Sequence, residues 1–168
     1  MITESDTILN HTQISHKLTR LAWQVYENNM DEDVIWIAGI QQRGSYIARR
    51  LAQELSKIST QKINMMQVDF SDDTSEPVYK SEQNPDNISN EVVVLVDDVL
   101  NTGKTLLKAL VPLVEGNARK IQVAVLASRS HRLFPVKADF VGISMATTLH
   151  EHLNFDNRNE NDLKLTLS

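Results

Sequence analysis

Apolar positions along the chain follow two rhythms, and the switches between them mark out the elements. Over residues 12–29, Ile14, Leu18, Leu21, Ala22, Val25 and Tyr26 recur every three or four positions, which predicts an amphipathic helix with Thr12 as its N-cap. Residues 34–40 are an unbroken apolar run of strand length, and the polar Gln41, Gln42, Arg43 and Gly44 read as a loop after it. Helical spacing returns over 45–58 through Ile47, Leu51, Leu55 and Ile58. A third strand is predicted at 63–70. Residues 71–90 then lack periodicity and contain Pro77 and Pro85, the mark of a functional or mobile loop.

A second strand, loop and helix follow. Val92 to Val96 are five consecutive aliphatic residues, the pattern of a strand buried on both faces of a parallel sheet. The helix resumes at Leu106, Leu107, Leu110, Leu113 and Val114, and Gly116 offers a C-cap. Residues 120–127 form another buried strand, 128–136 a polar interruption and 138–143 a short further strand. The alternation Leu163, Leu165, Leu167 predicts an edge strand at the end of the chain. Strands alternating with helices give an α/β fold, a doubly wound and mainly parallel sheet flanked by helices, in one domain. Its binding site belongs at the carboxyl ends of the strands, where the loops at 41–44, 99–105 and 128–136 converge.

Chemistry concentrates in residues 92–106. Asp97 and Asp98 stand side by side where the aliphatic strand ends, and two carboxylates there repel each other and resist desolvation unless something polar faces them. Ribose hydroxyls, a hydrated Mg2+ or both would serve. Asn101, Thr102, Gly103, Lys104 and Thr105 then lead into a helix N-terminus, whose unpaired N–H groups and partial positive charge suit a phosphate.

The run Val-Asp-Asp-Val-Leu-Asn-Thr-Gly-Lys-Thr resembles the phosphoribosyl-diphosphate (PRPP) signature of type I phosphoribosyltransferases, in the form found in the pyrimidine-regulating branch that also has uracil phosphoribosyltransferase activity. The resemblance extends from about residue 8 to 167. It implies the phosphoribosyltransferase fold with a small hood and a mobile flap over 71–90. It implies further that Asp97 and Asp98 bind the ribose hydroxyls and reach Mg2+ through ribose and water. Thr102, Gly103, Lys104 and Thr105 would hold the 5′-phosphate, Val99 and Asn101 would also belong to the PRPP site, and Arg43 and Gly44 would meet the diphosphate. Asp97, Asp98 and Arg43 are the catalytic candidates. Arg129, His131 and Arg132, before a Pro and the strand Ala-Asp-Phe-Val-Gly, would lie over the base or contact RNA. Three departures stand out: Gln42 where the branch has Thr, Ser128 and Ser130 where it has Asp and Gly, and a flap segment without arginine, in which Tyr79 and Lys80 are the nearest substitutes for a Tyr and an Arg.

Composition narrows the partners. A formal charge of −5 opposes indiscriminate coating of nucleic acid. The candidates for an RNA face reduce to Lys17, Arg20, Arg119, Lys120, Arg129 and Arg132. With no cysteine there is no disulfide or thiolate metal site, and no apolar run is long enough to span a bilayer, so a cytoplasmic location without membrane contact is expected. The reading is transfer of ribose 5-phosphate from PRPP to uracil or a related base. The alternatives are a PRPP-sensing RNA-binding regulator and a purine phosphoribosyltransferase. Relatives imply a homo-oligomer, a dimer at the least.

Overall fold

A computed structural model describes residues 5–71 and 76–168. In chain order the elements are β1 (Asp6–Leu9), α1 (His11–Asn28), β2 (Val34–Ile40), α2 (Gln41–Ile58), β3 (Lys62–Asp69), β4 (Val78–Ser81), a 3-10 turn at Pro85–Ile88, β5 (Val92–Leu100), α3 (Lys104–Glu115), β6 (Lys120–Arg129), β7 (Phe140–Met145), β8 (Leu153–Asp156) and β9 (Lys164–Leu167). Six strands form one sheet in the order β4-β3-β2-β5-β6-β7, parallel throughout except for the antiparallel edge strand β4. The expected doubly wound architecture is present. β5 lies inside the sheet, which is why its five aliphatic residues show no polar alternation.

The two faces of that sheet bury separate cores. On one face Leu18, Leu21, Ile47 and Leu51 of α1 and α2 pack on Ile35, Ile37, Val94 and Val96. On the other, Leu106, Ala109 and Leu113 of α3 pack on Trp36, Ala38, Val93 and Leu95. Helix α1 starts at a reciprocal cap in which Asn10 Oδ1 accepts from Gln13 N and Gln13 Oε1 accepts from Asn10 N. Asn10, and not Thr12, is therefore the N-cap.

A second sheet of three antiparallel strands, in the order β1-β9-β8, packs on the α1 and α2 face. Leu165 and Leu167 of the alternation do lie in a strand, with Leu163 just before it, but the strand is central and not an edge, because β1 and β8 pair with it on either side. Those two partners are four residues each and too short to show a period. Phe155, Leu163 and Leu165 are fully buried and join the core of α1 and α2. The segment 71–90 also holds more structure than its lack of periodicity predicts: β4 and the 3-10 turn fill its second half. Asp72 and Asp73, part of the acidic character of that segment, lie outside the described residues.

Phe155 packs beside the Tyr46 ring at 6.1 Å between centroids and ties the small sheet to α2. Phe155→Ala is expected to lower stability by about 3–5 kcal/mol, the usual cost of emptying a buried aromatic site, measured from the urea unfolding midpoint.

Candidate active site at the carboxyl ends of the strands

The carboxyl ends of β2, β3 and β5 surround a cleft of about 800 Å³, into which Gln41, Gln42, Arg43, Asp97, Asp98 and Asn101 project. A smaller recess of about 190 Å³ adjoins it, lined by Thr102, Gly103, Lys104 and Thr105 together with the acidic pair. Arg43, Asp97, Asp98, Val99, Asn101 and the Thr102–Thr105 loop, predicted separately from the sequence, thus come together.

Strand β5 carries the acidic pair further than its aliphatic run suggests. Asp97 pairs in register with Val125 of β6, and the ladder continues through Val99 opposite Ala127 and Leu100 opposite Ser128. Both carboxylates are therefore fixed to sheet backbone rather than to a loop. Burial, and after it the charge of Asp98, hold the Asp97 carboxyl well above the ordinary carboxylate range. Asp98 N donates to Asp97 Oδ1 at 2.8 Å, which offsets part of that cost. Neither carboxylate forms an ion pair with a protein cation among the described residues.

Two helices aim their N-termini at this cleft, and neither has a side-chain cap. In α3 the cap position is Gly103, in the left-handed region at φ 89°, so the chain turns from strand to helix without a side chain at the cap itself, while Thr102 Oγ1 accepts from Lys104 N at 3.3 Å. In α2 the first turn is Gln41–Gly44, expected as a loop but helical. The connection from β2 shrinks to one left-handed residue, Gln41 at φ 52°. Gly44 is required by close approach, since a Cβ there would stand 2.9 Å from the Val96 carbonyl and 3.2 Å from Asp97 Oδ1. α2 is thereby pressed against β5 next to the acidic pair.

The polar interruption predicted from residue 128 begins later, because β6 runs on to Arg129. Arg129 belongs to β6 and is buried. Its Nε donates to Thr147 Oγ1 at 2.8 Å, Nη2 to the Thr148 carbonyl at 3.0 Å and Nη1 to Asn101 Oδ1 at 3.4 Å. It braces the 147–148 turn against the loop after β5, and is not a surface contact for RNA. His131 Nε2 lies 2.6 Å from the Thr147 carbonyl; that oxygen only accepts, so Nε2 carries the proton. Arg132 donates to Ser128 Oγ at 2.9 Å. Leu133 and Phe134 N–H groups both donate to the Thr102 carbonyl, docking this segment on the phosphate-type loop.

Sequence reading missed Asp69 and Leu153, which also line the cleft, together with Lys80, named there only as a substitute for a flap arginine. Asp69 and Lys80 form a 2.9 Å ion pair across the β3–β4 ladder, with Gln67 Nε2 donating to Asp69, and these contacts hold the Asp69 carboxyl below its usual range. Tyr79, weighed as a substitute for a flap tyrosine, instead donates its hydroxyl to the Ala109 carbonyl of α3 and is held away from the cleft, and burial raises its pKa.

A sheet-anchored acidic pair thus lies between two helix N-termini, carboxylates that can accept from hydroxyls beside amides that can donate to an anion. Comparison with known proteins agrees: residues 4–155 match the phosphoribosyl transferase domain. The chain is 37% identical over 154 residues to the bifunctional protein PyrR of Limosilactobacillus reuteri, covering 86% of each chain. It is 38% identical over 153 residues to that of Deinococcus radiodurans, covering 86% of this chain and 84% of the relative. The chain belongs to the phosphoribosyltransferase family, in the branch of the bifunctional PyrR proteins. Its fold is shared with a hypoxanthine-guanine phosphoribosyltransferase of Bacillus anthracis (TM-score 0.75, 16% identity, 98% and 99% of the two chains). It is also shared with the hypoxanthine phosphoribosyltransferase of Trypanosoma cruzi (TM-score 0.78, 14% identity, 95% of each).

A carboxyl whose folded-state pKa is raised folds most favourably when protonated. Near pH 4 and below that preference costs little, and as pH rises the folded chain must hold a disfavoured charge. Asp97→Asn is therefore expected to raise the Tm of the ligand-free protein, more at pH 8 than at pH 4, by scanning calorimetry in EDTA.

Proposed function

We propose that the protein transfers ribose 5-phosphate from PRPP to uracil, releasing diphosphate. The observation that carries this reading is the pairing of the Asp97–Asp98 carboxylates with the uncapped N-termini of α2 and α3 in one cleft, where α1, remote from it, is fully capped. The Gly103 turn and the first amides of α3 suit the 5′-phosphate, with Thr102 and Thr105 adding hydroxyls. The acidic pair suits the two ribose hydroxyls. Arg43 and the first turn of α2 suit the diphosphate, where a fixed, permanently charged guanidinium stabilises a leaving group that gains charge.

In the reaction the C1′–O bond to diphosphate breaks and a C1′–N bond to the base forms, through a sugar with oxocarbenium character as in glycoside chemistry. The protein acts by holding the two reactants in line and by placing charge where it develops. Mg2+ fits this site. Two carboxylates without a protein counter-charge favour a cation, and no cluster of three or more ligating side chains among the described residues would hold it alone, so the remaining ligands would come from substrate oxygens and water. When bound, it supplies charge neutralisation for the diphosphate.

A second reading, an RNA-binding regulator, draws on the relatives' shared description as bifunctional. The six basic residues singled out for it are dispersed. Arg119 pairs with Glu32 at the start of β6, Arg129 is buried at its other end about 30 Å away, and Arg20 donates to the Val141 and Gly142 carbonyls. The location proposed for this activity is cytoplasmic; no helix among the described residues is long and apolar enough to cross a membrane.

Diphosphate release from PRPP and Mg2+ should be measured with uracil, hypoxanthine, guanine, xanthine and adenine. Turnover with uracil alone is expected, and turnover with a purine alone would move the chain to the purine reading. Replacing both Asp97 and Asp98 with Asn should lower kcat/KM by about 10²-fold or more; unchanged PRPP affinity in that variant would remove the acidic pair from the site.

A further inference from the structure

The small sheet contributes a polar contact to Arg43, a residue that lines the cleft, which neither the motif nor the family assignment specifies. Strand β8 alternates Leu153 and Phe155 into the core with Asn154 and Asp156 on the opposite face. Arg43 reaches that face from the first turn of α2: its Nη1 donates to Asn154 Oδ1 at 2.9 Å. This is the one side-chain hydrogen bond of the guanidinium among the described residues, and no carboxylate forms an ion pair with it there.

The chemistry of the acceptor matters. An amide oxygen fixes the direction of a guanidinium without cancelling its charge, whereas a carboxylate would do both. A carboxylate is near. Asp156, two residues along the same face, senses Arg43 electrostatically, but Arg158 occupies it through a paired contact, Nε to Oδ1 at 2.9 Å and Nη2 to Oδ2 at 2.6 Å. That pairing, together with the charge it places beside Asp156, leaves Arg43 to the neutral amide.

We propose that Asn154 is a positioning residue for the diphosphate side of the site, holding the Arg43 guanidinium in the cleft while leaving it charged. The inference rests on the reading of Arg43 as the diphosphate ligand. The geometry further implies that the small sheet takes part in assembling the leaving-group subsite, since Arg43 comes from α2 on the main sheet and its orienting group from β8.

The test is a double-mutant cycle read by calorimetric binding of magnesium diphosphate, with Tm recorded for every variant. Asn154→Ala should weaken binding by about three- to ten-fold, the range of one hydrogen bond, and Arg43→Ala by more. In the Arg43→Ala background, Asn154→Ala should add nothing, because its effect passes through Arg43. Asn154→Asp should weaken binding more than Asn154→Ala, since the new carboxylate keeps the guanidinium but neutralises it. An Asn154→Ala loss that persists in full without Arg43 marks a structural role and overturns the proposal, as does wild-type affinity in Asn154→Ala or Asn154→Asp. If wild-type protein binds neither magnesium diphosphate nor PRPP, or if Arg43→Ala binds normally, the functional reading fails first. If Arg43→Ala weakens binding and Asn154→Ala does not, only the role of Asn154 falls.

Discussion

The constraint on which the structure depends is that two adjacent carboxylates must be held at the end of an interior strand. β5 is flanked by β2 and β6 and covered by helices on both faces, so Asp97 and Asp98 cannot retreat into solvent as loop residues would. Their mutual repulsion and desolvation are a standing cost, recorded in the raised pKa of Asp97. A fold retains such a cost where a ligand relieves it, and ground-state discomfort at a site is a common companion of function.

Both flanking helices answer that constraint. α3 follows a glycine in the left-handed region and α2 begins at a left-handed glutamine, and neither has a side-chain hydrogen bond from its cap position, where α1 has a complete capping box. Gly44 lets α2 sit against the Val96 carbonyl and Asp97, which brings the positive end of the helix next to the acidic pair. The site therefore places acidic and electropositive regions side by side, as a ligand with both hydroxyls and phosphates requires.

The surrounding segments are braced to this centre by polar contacts rather than by packing alone. Arg129 ties the 147–148 turn to Asn101, the amides of Leu133 and Phe134 clasp the Thr102 carbonyl, and Asn154 takes Arg43. Each brace joins a residue near the acidic pair to one far away in sequence, so a shift in the small sheet or in the segment after β6 would be felt in the cleft.

What could be read from the residues alone was whatever carries its own periodicity or its own chemistry. Largely apolar runs identify β2, β5 and β6 because burial on both faces is written in composition, and the acidic pair followed after three residues by Thr-Gly-Lys-Thr identifies the site because few other pressures place those residues there. The tertiary structure decided the rest. β1, β4 and β8 are four-residue strands defined only by the strands they pair with, and β9 became central for the same reason. The 41–44 segment looked like a loop because its residues are polar, yet a first helical turn at a cleft is polar too. Arg129 read as part of a polar interruption because the residues around it are polar; only the fold supplies the Thr147 hydroxyl and Thr148 carbonyl that make its burial tolerable. Asn154 has no local signature, since its role is a distance to a side chain 111 residues away in the chain.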